Sequence, residues 1–260
     1  MSVVKRFAAL AATAALSVTL VACGASPGSR GNATGGGGDT AQSLAAQAQY
    51  NPQPYDNLKD GGTLTTSLPE VSTQWNPFQG DTTGYSQTLW NWYNPVLTTF
   101  SADGKAAFNP DYLTDVKADT VNSNTRITYT INPKATYNDG SPIDWTAFEA
   151  TWKADNAQNK AYIVNSSDGY DRIASVTRGV DDRQAIVTFN GFNVWWQGLF
   201  GTLLNPKALD PQVFNKGYID TPHPEWGAGP YTVQKFDKQN GTVIFTRNPK
   251  WWGKKGKLDT

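Results

Sequence analysis

Apolar and polar residues alternate along several short stretches of the chain, as they do in half-buried strands. From Arg126 to Ile131 every second residue is apolar, and Asn122-Ser123-Asn124 offers a turn from a preceding strand around Val116. The same alternation predicts further strands at Gly62 to Leu68, Ile173 to Thr177, Ala185 to Phe189, Tyr231 to Phe236 and Thr242 to Arg247. The last two strands flank an Asn-Gly turn and therefore predict a hairpin.

Apolar residues at helical spacing predict three helices between these strands. Gln87 to Thr99 predicts a helix that is broken near Pro95, and Val194 to Leu204 predicts another. Asp144 follows a turn and can cap a third helix, in which three aromatic residues at helical spacing are core candidates: Trp145, Phe148 and Trp152. Strands and helices alternate, which indicates an α/β or α+β domain.

The amino-terminal pattern predicts an export signal. Lys5 and Arg6 precede an apolar run from Phe7 to Val21 that is too short for a stable membrane-spanning helix. Leu20-Val21-Ala22-Cys23 resembles the lipobox of bacterial lipoproteins, so we expect residues 1–22 to be removed and Cys23 to become a lipidated first residue. Ordinary cleavage nearby, with Cys23 a buried signal-peptide cysteine, is the alternative.

Residues 23–59 are predicted to be a flexible tether between the lipid and the folded part. From Gly24 to about Gln49 there is no aromatic residue, and four consecutive glycines follow Thr34, so this stretch cannot bury enough apolar surface to order itself. We expect folding to begin near Asp60.

Composition excludes several functional classes. Cys23 is the only cysteine, so its lipidation would leave no thiol for catalysis, a disulfide or a metal site. The single histidine, His223, lies between two prolines and is interpreted as a surface loop residue, while Asp181-Asp182 is interpreted as a turn and not as an acid/base pair. Lys plus Arg equals Asp plus Glu at 22 each, so no field favours nucleic acid. We therefore expect no metal, no cofactor and no catalytic residue.

Four segments together resemble the extracytoplasmic solute-binding proteins of the peptide and nickel family, which serve ABC importers. In chain order they are Gly61-Gly62-Thr63-Leu64 with Trp75-Asn76-Pro77, Tyr137-Asn138-Asp139-Gly140-Ser141-Pro142, Ala228-Gly229-Pro230-Tyr231, and Arg247-Asn248-Pro249-Lys250-Trp251-Trp252-Gly253. Trp75 replaces the leucine that is usual in the family. Each segment alone is weak evidence for the family, but the order and spacing of all four after a lipobox make the resemblance strong.

The resemblance implies a mixed α/β fold of the type II periplasmic-binding-protein kind. Residues 60–260 would form the first lobe, which comprises a mixed-sheet subdomain and a smaller inserted subdomain at about 94–190. Family members are considerably longer, so we expect the chain to be truncated after this lobe, with the second lobe missing.

The function implied by the resemblance is to bind a solute without catalysing a reaction. The protein would bind a peptide or another small solute by hinge closure and deliver it to an ABC permease, and it would not be an enzyme. It would sit on the outer face of the cell membrane, anchored there by acyl chains such as palmitate on Cys23.

The resemblance also points to solute-contacting residues by their position. The loop after Asn76-Pro77 contributes Asp81, Thr82 and Thr83, where Asp81 either pairs with a cationic group or caps a turn. The hairpin region contributes five further residues: Gly227, Ala228, Gly229, Tyr231 and Trp251. Trp251 is expected to offer a flat apolar wall while Trp252 packs in the core, since neighbours in a strand face opposite ways. Of Trp195 and Trp196, one ring is expected to be buried and one, Trp195, near the cleft.

Two other functions remain open from the sequence. The ten tryptophans and the outer location would also suit a secreted glycan-binding or glycan-processing lipoprotein, although no pair of facing carboxylates can be placed. The same fold without transport would suit a regulatory module in envelope assembly.

Overall fold

A computed structural model describes residues 53–101 and 104–260. The predicted signal segment, Cys23 and most of the predicted tether lie outside the described residues. Within the described ranges the α-helices are α1 (Gly84–Tyr93) and α2 (Trp145–Asp155), and the strands are β1 (Thr98–Phe100), β2 (Ala106–Phe108), β3 (Leu113–Val121), β4 (Asn124–Ile131), β5 (Ile173–Arg178), β6 (Gln184–Phe189), β7 (Tyr231–Asp237) and β8 (Thr242–Arg247). Short 3-10 turns occur at Tyr55–Asn57, Tyr170–Arg172, Trp196–Gly198, Pro206–Leu209 and Pro224–Trp226, and one π-helical turn at Val213–Gly217.

A four-stranded antiparallel sheet with the order β3-β4-β6-β5 forms the centre of the fold. Asn122 and Ser123 both have positive φ, at 50° and 66°, which is the conformation of a tight turn between twisted strands. Burial alternates strictly along β4, where Ile127 is fully buried. The predicted hairpin around Asn122-Ser123-Asn124 is therefore confirmed, as are the strands on either side of Asp181-Asp182.

Helix α2 packs on this sheet and begins where its sequence predicts. The Asp144 carboxylate accepts a hydrogen bond from the Thr146 backbone N–H at 2.9 Å, which satisfies one of the free donors of the first turn. Phe148 is fully buried, and burial of such a side chain contributes about 1.5 to 3 kcal/mol. Trp145 and Trp152 are only partly buried at the edge of the same core.

The prediction of a helix from Val194 to Leu204 is wrong. Only Trp196–Gly198 forms a 3-10 turn there, and Phe200 has a φ of 53°, which no right-handed helix tolerates. The helix predicted from Gln87 starts at Gly84 and ends at Tyr93, one residue before Asn94, because a residue that precedes proline disfavours helical geometry. The remainder of that segment enters β1.

The segment from Gly62 to Leu68 does not form the predicted strand. Its backbone partners lie at the other end of the chain: Gly61 N–H donates to the Lys257 carbonyl at 2.7 Å, and Leu64 N–H donates to the Thr260 carbonyl at 3.0 Å. These few bonds join residues 61–64 to residues 257–260 without building a regular ladder. We call this contact the end pairing.

Charged side chains reinforce the end pairing. The Arg247 guanidinium lies 3.1 Å from the Asp60 carboxylate and 3.3 Å from the Asp259 carboxylate, and Lys255 Nζ lies 3.1 Å from Asp60. Lys255 and Arg247 also lower the pKa of Asp60. The Tyr55 hydroxyl also donates to the Lys255 carbonyl at 2.6 Å, which joins the residues just before each half of the end pairing.

Two hydrophobic clusters lie side by side in the described part. The first is built from the four-stranded sheet, α2 and the residues that follow β6, with Ile127, Phe148 and Phe189 among its fully buried members. The second is built mainly from α1 and residues 204–218, together with Trp75 and Ala154. Its largest members are Trp75, Trp90, Tyr93, Phe214 and Tyr218. Every strand pairing in residues 53–101 and 104–260 is antiparallel. No helix among these residues has the length and apolar content to cross a membrane.

Candidate functional site

Three of the four segments singled out in the sequence meet at one buried junction. The Asn248 side-chain amide donates to Asn138 Oδ1 and to the Gly229 carbonyl, both at 2.8 Å. Asn138 N–H in turn donates to the Gly227 carbonyl at 2.8 Å, and the Lys250 ammonium donates to the Asn138 carbonyl. Buried amides need such partners, so this junction fixes the loop before α2 against the start of the β7-β8 hairpin.

The glycines of this junction allow the backbone to approach the end of α1. A Cβ at Gly227 would lie 2.6 Å from the Tyr93 carbonyl oxygen, and one at Gly229 would lie 2.8 Å from the Tyr93 carbonyl carbon. The N–H groups of Ala228 and Gly229 both donate to that Tyr93 carbonyl at 2.9 Å. Gly227, Ala228 and Gly229 are all buried, so their observed contacts are with protein; a solute contact at these positions stays a prediction.

Tyr231 lies at the start of β7 and is partly buried against α1. Its ring packs edge-on to Trp92 with the centroids 6.1 Å apart, and its hydroxyl accepts a hydrogen bond from Leu258 N–H at 3.0 Å. Tyr231 therefore links α1, the hairpin and, through Leu258, the end pairing.

Trp251 and Trp252 do not divide between cleft and core as expected. They follow β8 outside any strand, so strand alternation does not apply. Both are partly buried, their ring centroids lie 4.6 Å apart, and both rings contact Tyr112. Trp251 also lines a cavity of about 270 Å³, together with Pro230, Arg247, Asn248, Pro249, Gly253, Lys255 and Gly256.

The loop with Asp81, Thr82 and Thr83 lies at the opposite end of α1. Gln79 organises it: its Nε2 donates to Asp81 Oδ2 at 3.2 Å, and its Oε1 accepts from Asp81 N–H at 2.5 Å. Thr83 is the residue before α1, and its N–H donates to Ser86 Oγ at 3.3 Å. Asp81 is exposed and helps to hold the turn, with one carboxylate oxygen engaged in this way.

A segment that the sequence did not single out runs alongside this loop. Gly80 N–H donates to the Ile163 carbonyl and Asn165 N–H donates to the Phe78 carbonyl, each at 2.8 Å. The Ile163 side chain is 57% exposed next to the loop. Its position depends on a contact between residues more than eighty apart in sequence, and no local pattern signals such a contact.

Trp195 and Trp196 differ in exposure, with Trp195 the more exposed ring, as predicted. Trp195 is 82% exposed, whereas Trp196 is partly buried and stacks on Phe108 with the ring centroids 5.9 Å apart. Asn193 is buried and holds the loop: its N–H donates to Thr125 Oγ1, and its Oδ1 accepts from Trp195 N–H, both at 2.9 Å. Trp195 thus projects from a fixed loop and not from a helix.

A second cavity, of about 260 Å³, lies beside the middle of α1. It is lined by Phe78, Gln87, Asn91, Val96, Thr98, Tyr170, Gly198, Gly201 and Thr202. Phe78, which lies three residues before Asp81, is part of this lining. We call it the helix cavity.

The histidine predicted to be a surface loop residue is largely buried. The His223 side chain is 18% exposed, its ring stacks on Trp226 at 4.0 Å, and its nitrogens lie 2.8 Å from Glu225 Oε1 and 3.0 Å from the Gly217 carbonyl. His223 has a φ of 49°, and the ring contacts Trp226 and the Gly217 carbonyl. In the described part of the chain, no group of three or more His, Cys, Asp or Glu residues is arranged to hold a metal ion.

Seven of the nine predicted contact residues lie at the two ends of α1, whereas Trp195 follows β6 and Trp251 follows β8. Asp81, Thr82 and Thr83 precede its first turn. The second group, Gly227, Ala228, Gly229 and Tyr231, contacts its last two residues, Trp92 and Tyr93. The ten residues of α1 extend about 15 Å at 1.5 Å per residue. An extended peptide covers that distance with about four to five residues.

This architecture is that of an extracellular solute-binding protein. The chain belongs to the bacterial extracellular solute-binding proteins of family 5, whose model matches residues 107–260. It is 35% identical over 227 residues to the oligopeptide-binding protein OppA of Mycobacterium tuberculosis, a match that covers 85% of this chain and 38% of OppA. The resemblance drawn from the four segments is thereby confirmed.

A second relative is the probable monoacyl phosphatidylinositol tetramannoside-binding protein LpqW of Mycobacterium tuberculosis, 30% identical over 53% of this chain and 21% of LpqW. Among solved structures, the periplasmic EDTA-binding protein EppA superposes with a TM-score of 0.70 and 28% identity over 77% of this chain and 39% of EppA. AppA of Bacillus subtilis, solved with a nonapeptide, gives 0.60 and 16% over the same shares. The type II fold is confirmed, and the chain spans less than two fifths of the length of these proteins.

Proposed function

We propose that this chain captures peptides as part of the substrate-binding lipoprotein of an ABC importer, which delivers them to a membrane permease. The observation that carries the proposal is the placement of two predicted contact groups at opposite ends of α1. A solute lying along α1 would reach the Asp81 loop with one end and the Tyr231 turn with the other. Extended peptides suit this arrangement because main-chain hydrogen bonds provide affinity while side chains enter pockets beside it.

The proposal assigns roles to individual residues. Asp81 is exposed and offers a carboxylate oxygen to a cationic group. The hydroxyl oxygens of Thr82 and Thr83 are buried beside it, so these two residues would reach a solute only through a rearrangement of the loop. Trp195 supplies an exposed ring, and Trp251 supplies a wall of the neighbouring cavity. No residue in this arrangement is asked to make or break a bond.

We also propose how the chain is divided. Residues 60–260 act as the first lobe, with a smaller inserted subdomain at about 94–190. Two hydrophobic clusters support this division, because the first draws most of its members from residues 97–189. In this proposal the lobe provides one side of the solute site, and hinge closure in the complete protein encloses the solute.

Titration of the purified chain with peptides of increasing length tests the solute class. Affinity is expected to rise from dipeptides to about pentapeptides and then to level off, because longer peptides extend beyond α1. Asp81→Asn is expected to weaken binding of peptides with a cationic group, while the exposed Asp168→Asn serves as the matched control. Binding of oligosaccharides in place of peptides would instead favour the glycan-binding alternative.

The location rests on Cys23, and we propose lipid anchoring on the outer face of the membrane. Cys23→Ala in the producing cell is expected to leave the protein unacylated and either released or retained as precursor. Fractionation with metabolic labelling by a palmitate analogue measures this. Processed, membrane-bound protein in the variant would contradict the anchor without bearing on solute capture.

A further inference from the structure

The helix cavity is too small for a whole solute but large enough for one chemical group. Pockets that enclose an entire small ligand usually measure about 300 to 1,000 Å³, whereas this cavity holds about 260 Å³ and is partly open to solvent. It lies midway along α1, between the two ends of the proposed solute path. A group projecting from a solute on α1 is therefore its natural occupant.

Two glycines keep the cavity open. A Cβ at Gly198 or Gly201 would meet no atom within 4 Å, so the space beside each is unfilled. Neither glycine has a positive φ, and a larger residue at either position would carry no backbone strain. The backbone therefore does not require glycine at either position. Because both residues lack a side chain, the cavity stays open.

Two amide side chains of the cavity lining present one donor and one acceptor side by side. Gln87 Nε2 donates to Asn91 Oδ1 at 2.8 Å, one helical turn along α1. That bond leaves Gln87 Oε1 as an acceptor and Asn91 Nδ2 as a donor, neither of which has a partner among the described residues. Thr202, by contrast, accepts from Trp90 Nε1 and donates to the Pro95 carbonyl, so its hydroxyl is engaged.

The charge of the lining selects against most other occupants. None of the nine lining residues is Asp, Glu, Lys, Arg or His, and burial raises the pKa of Tyr170, which keeps its hydroxyl neutral. A charged group would therefore lose hydration without gaining a counter-charge. An apolar group would cover the half-buried Gln87 amide and leave its free oxygen without a hydrogen bond, whereas the exposed Asn91 would keep part of its contact with water.

We propose that the helix cavity is a subsite for one uncharged hydrogen-bonding group of the solute, a carboxamide or a hydroxyl. The group accepts from Asn91 Nδ2 and donates to Gln87 Oε1, while the rings of Phe78 and Tyr170 form its walls. The inference rests on the proposed function, since the solute is taken to lie along α1. Its chemistry fits an asparagine, glutamine, serine or threonine side chain of a peptide, or a sugar.

Small probes test the subsite without requiring a complete solute. The ¹⁵N-labelled chain is titrated with N-acetylated amides of asparagine, serine, leucine, lysine and aspartate, and with methyl mannoside, while the side-chain amide signals of Gln87 and Asn91 are followed. Saturable shifts are expected with asparagine, serine or mannoside. Affinity for the leucine, lysine and aspartate probes is expected to be about tenfold weaker, as the loss of about 1.4 kcal/mol of hydrogen bonding predicts.

Three variants make the test specific. Gly201→Leu fills the cavity and is expected to abolish the shifts, and Gln87→Leu is expected to weaken the favoured probes about tenfold. Thr88→Leu, a change to the same residue type at the next position of α1, is the matched control because Thr88 is exposed and does not line the cavity. Thermal unfolding of each variant confirms that it is folded.

Two results would overturn the subsite. One is the absence of saturable shifts at Gln87 and Asn91 in the parent chain with every probe, and the other is a preference for charged or apolar probes. A stronger response to mannoside than to the amino-acid amides would identify sugars as the source of the group. Because the probes occupy one cavity, a failed peptide-length titration with a positive probe result would reject the proposed solute class and retain the subsite.

Discussion

The buried carboxyl of Asp155 makes a quantitative prediction about stability and pH. Asp155 is the last residue of α2, is 2% exposed, and its Oδ1 has no hydrogen-bond partner among the described residues. Burial raises its pKa from 3.8 to about 8. The carboxyl-terminal end of a helix also disfavours negative charge, which acts in the same direction.

The sign follows from the two protonation states. Below about pH 4 the carboxyl is protonated in both the folded and the unfolded chain, so it has no effect on the pH dependence of stability. Between about pH 4 and pH 8 the unfolded chain releases its proton while the folded chain retains it, and the free energy of unfolding falls by about 1.4 kcal/mol per pH unit. At pH 7 the accumulated loss is about 4 kcal/mol, and above pH 8 it stays constant.

Asp155→Asn removes the ionisation while keeping the shape of the side chain. We expect its stability advantage over the parent chain to grow by several kcal/mol between pH 4.5 and pH 8, as measured by urea unfolding at each pH. Asp168→Asn, at an exposed position, is the control and should show no such growth. An Asp155→Asn effect that is the same at both pH values would refute the reasoning, because it would mean that the folded chain accommodates the carboxylate.

Three further substitutions test the contacts described above. Gly229→Ala places a Cβ 2.8 Å from the Tyr93 carbonyl carbon and should lower the free energy of unfolding by about 1 to 3 kcal/mol, whereas Gly84→Ala, which meets no atom within 4 Å, should not. Asn248→Ala leaves buried partners unpaired and should cost about 2 to 4 kcal/mol in urea unfolding; a loss below about 0.5 kcal/mol would show that the junction is not stabilising. Trp195→Ala should change stability by less than about 0.5 kcal/mol but weaken peptide binding, and unchanged binding would remove Trp195 from the site.

The sequence predicts correctly those turns and helix ends that are determined by residues close together in the chain. The turn at Asn122-Ser123-Asn124 and the helix cap at Asp144 are each set by residues within a few positions of one another, and both were predictable. The family could also be recognised from the sequence, because the four motifs combine specific residue types in a specific order. Their role was less clear from sequence: Asn138 and Asn248 meet at 2.8 Å although they are 110 residues apart.

The features that the sequence did not predict depend on distant contacts. Apolar residues between Val194 and Leu204 match a helical period, yet Phe200 adopts a φ of 53° and is buried against aromatic residues from elsewhere in the chain. The helix cavity is invisible in sequence for the same reason. Phe78, α1, residues 96–98, Tyr170 and the segment from Gly198 to Thr202 form it, and it stays open because two of these positions are glycines.

The end pairing has a consequence for the order of folding. Thr63 and Thr260 hydrogen-bond across 197 residues, so the chain must close a very long loop to bring them together. Closing such a loop costs about 3 kcal/mol more than closing a hairpin of a few residues, since each doubling of length adds about 0.6 kcal/mol. Local hairpins such as β3-β4 and β7-β8 can nucleate before this cost is met. The end pairing should therefore form late, and the amides of Gly61 and Leu64 should be among the last to gain protection during refolding.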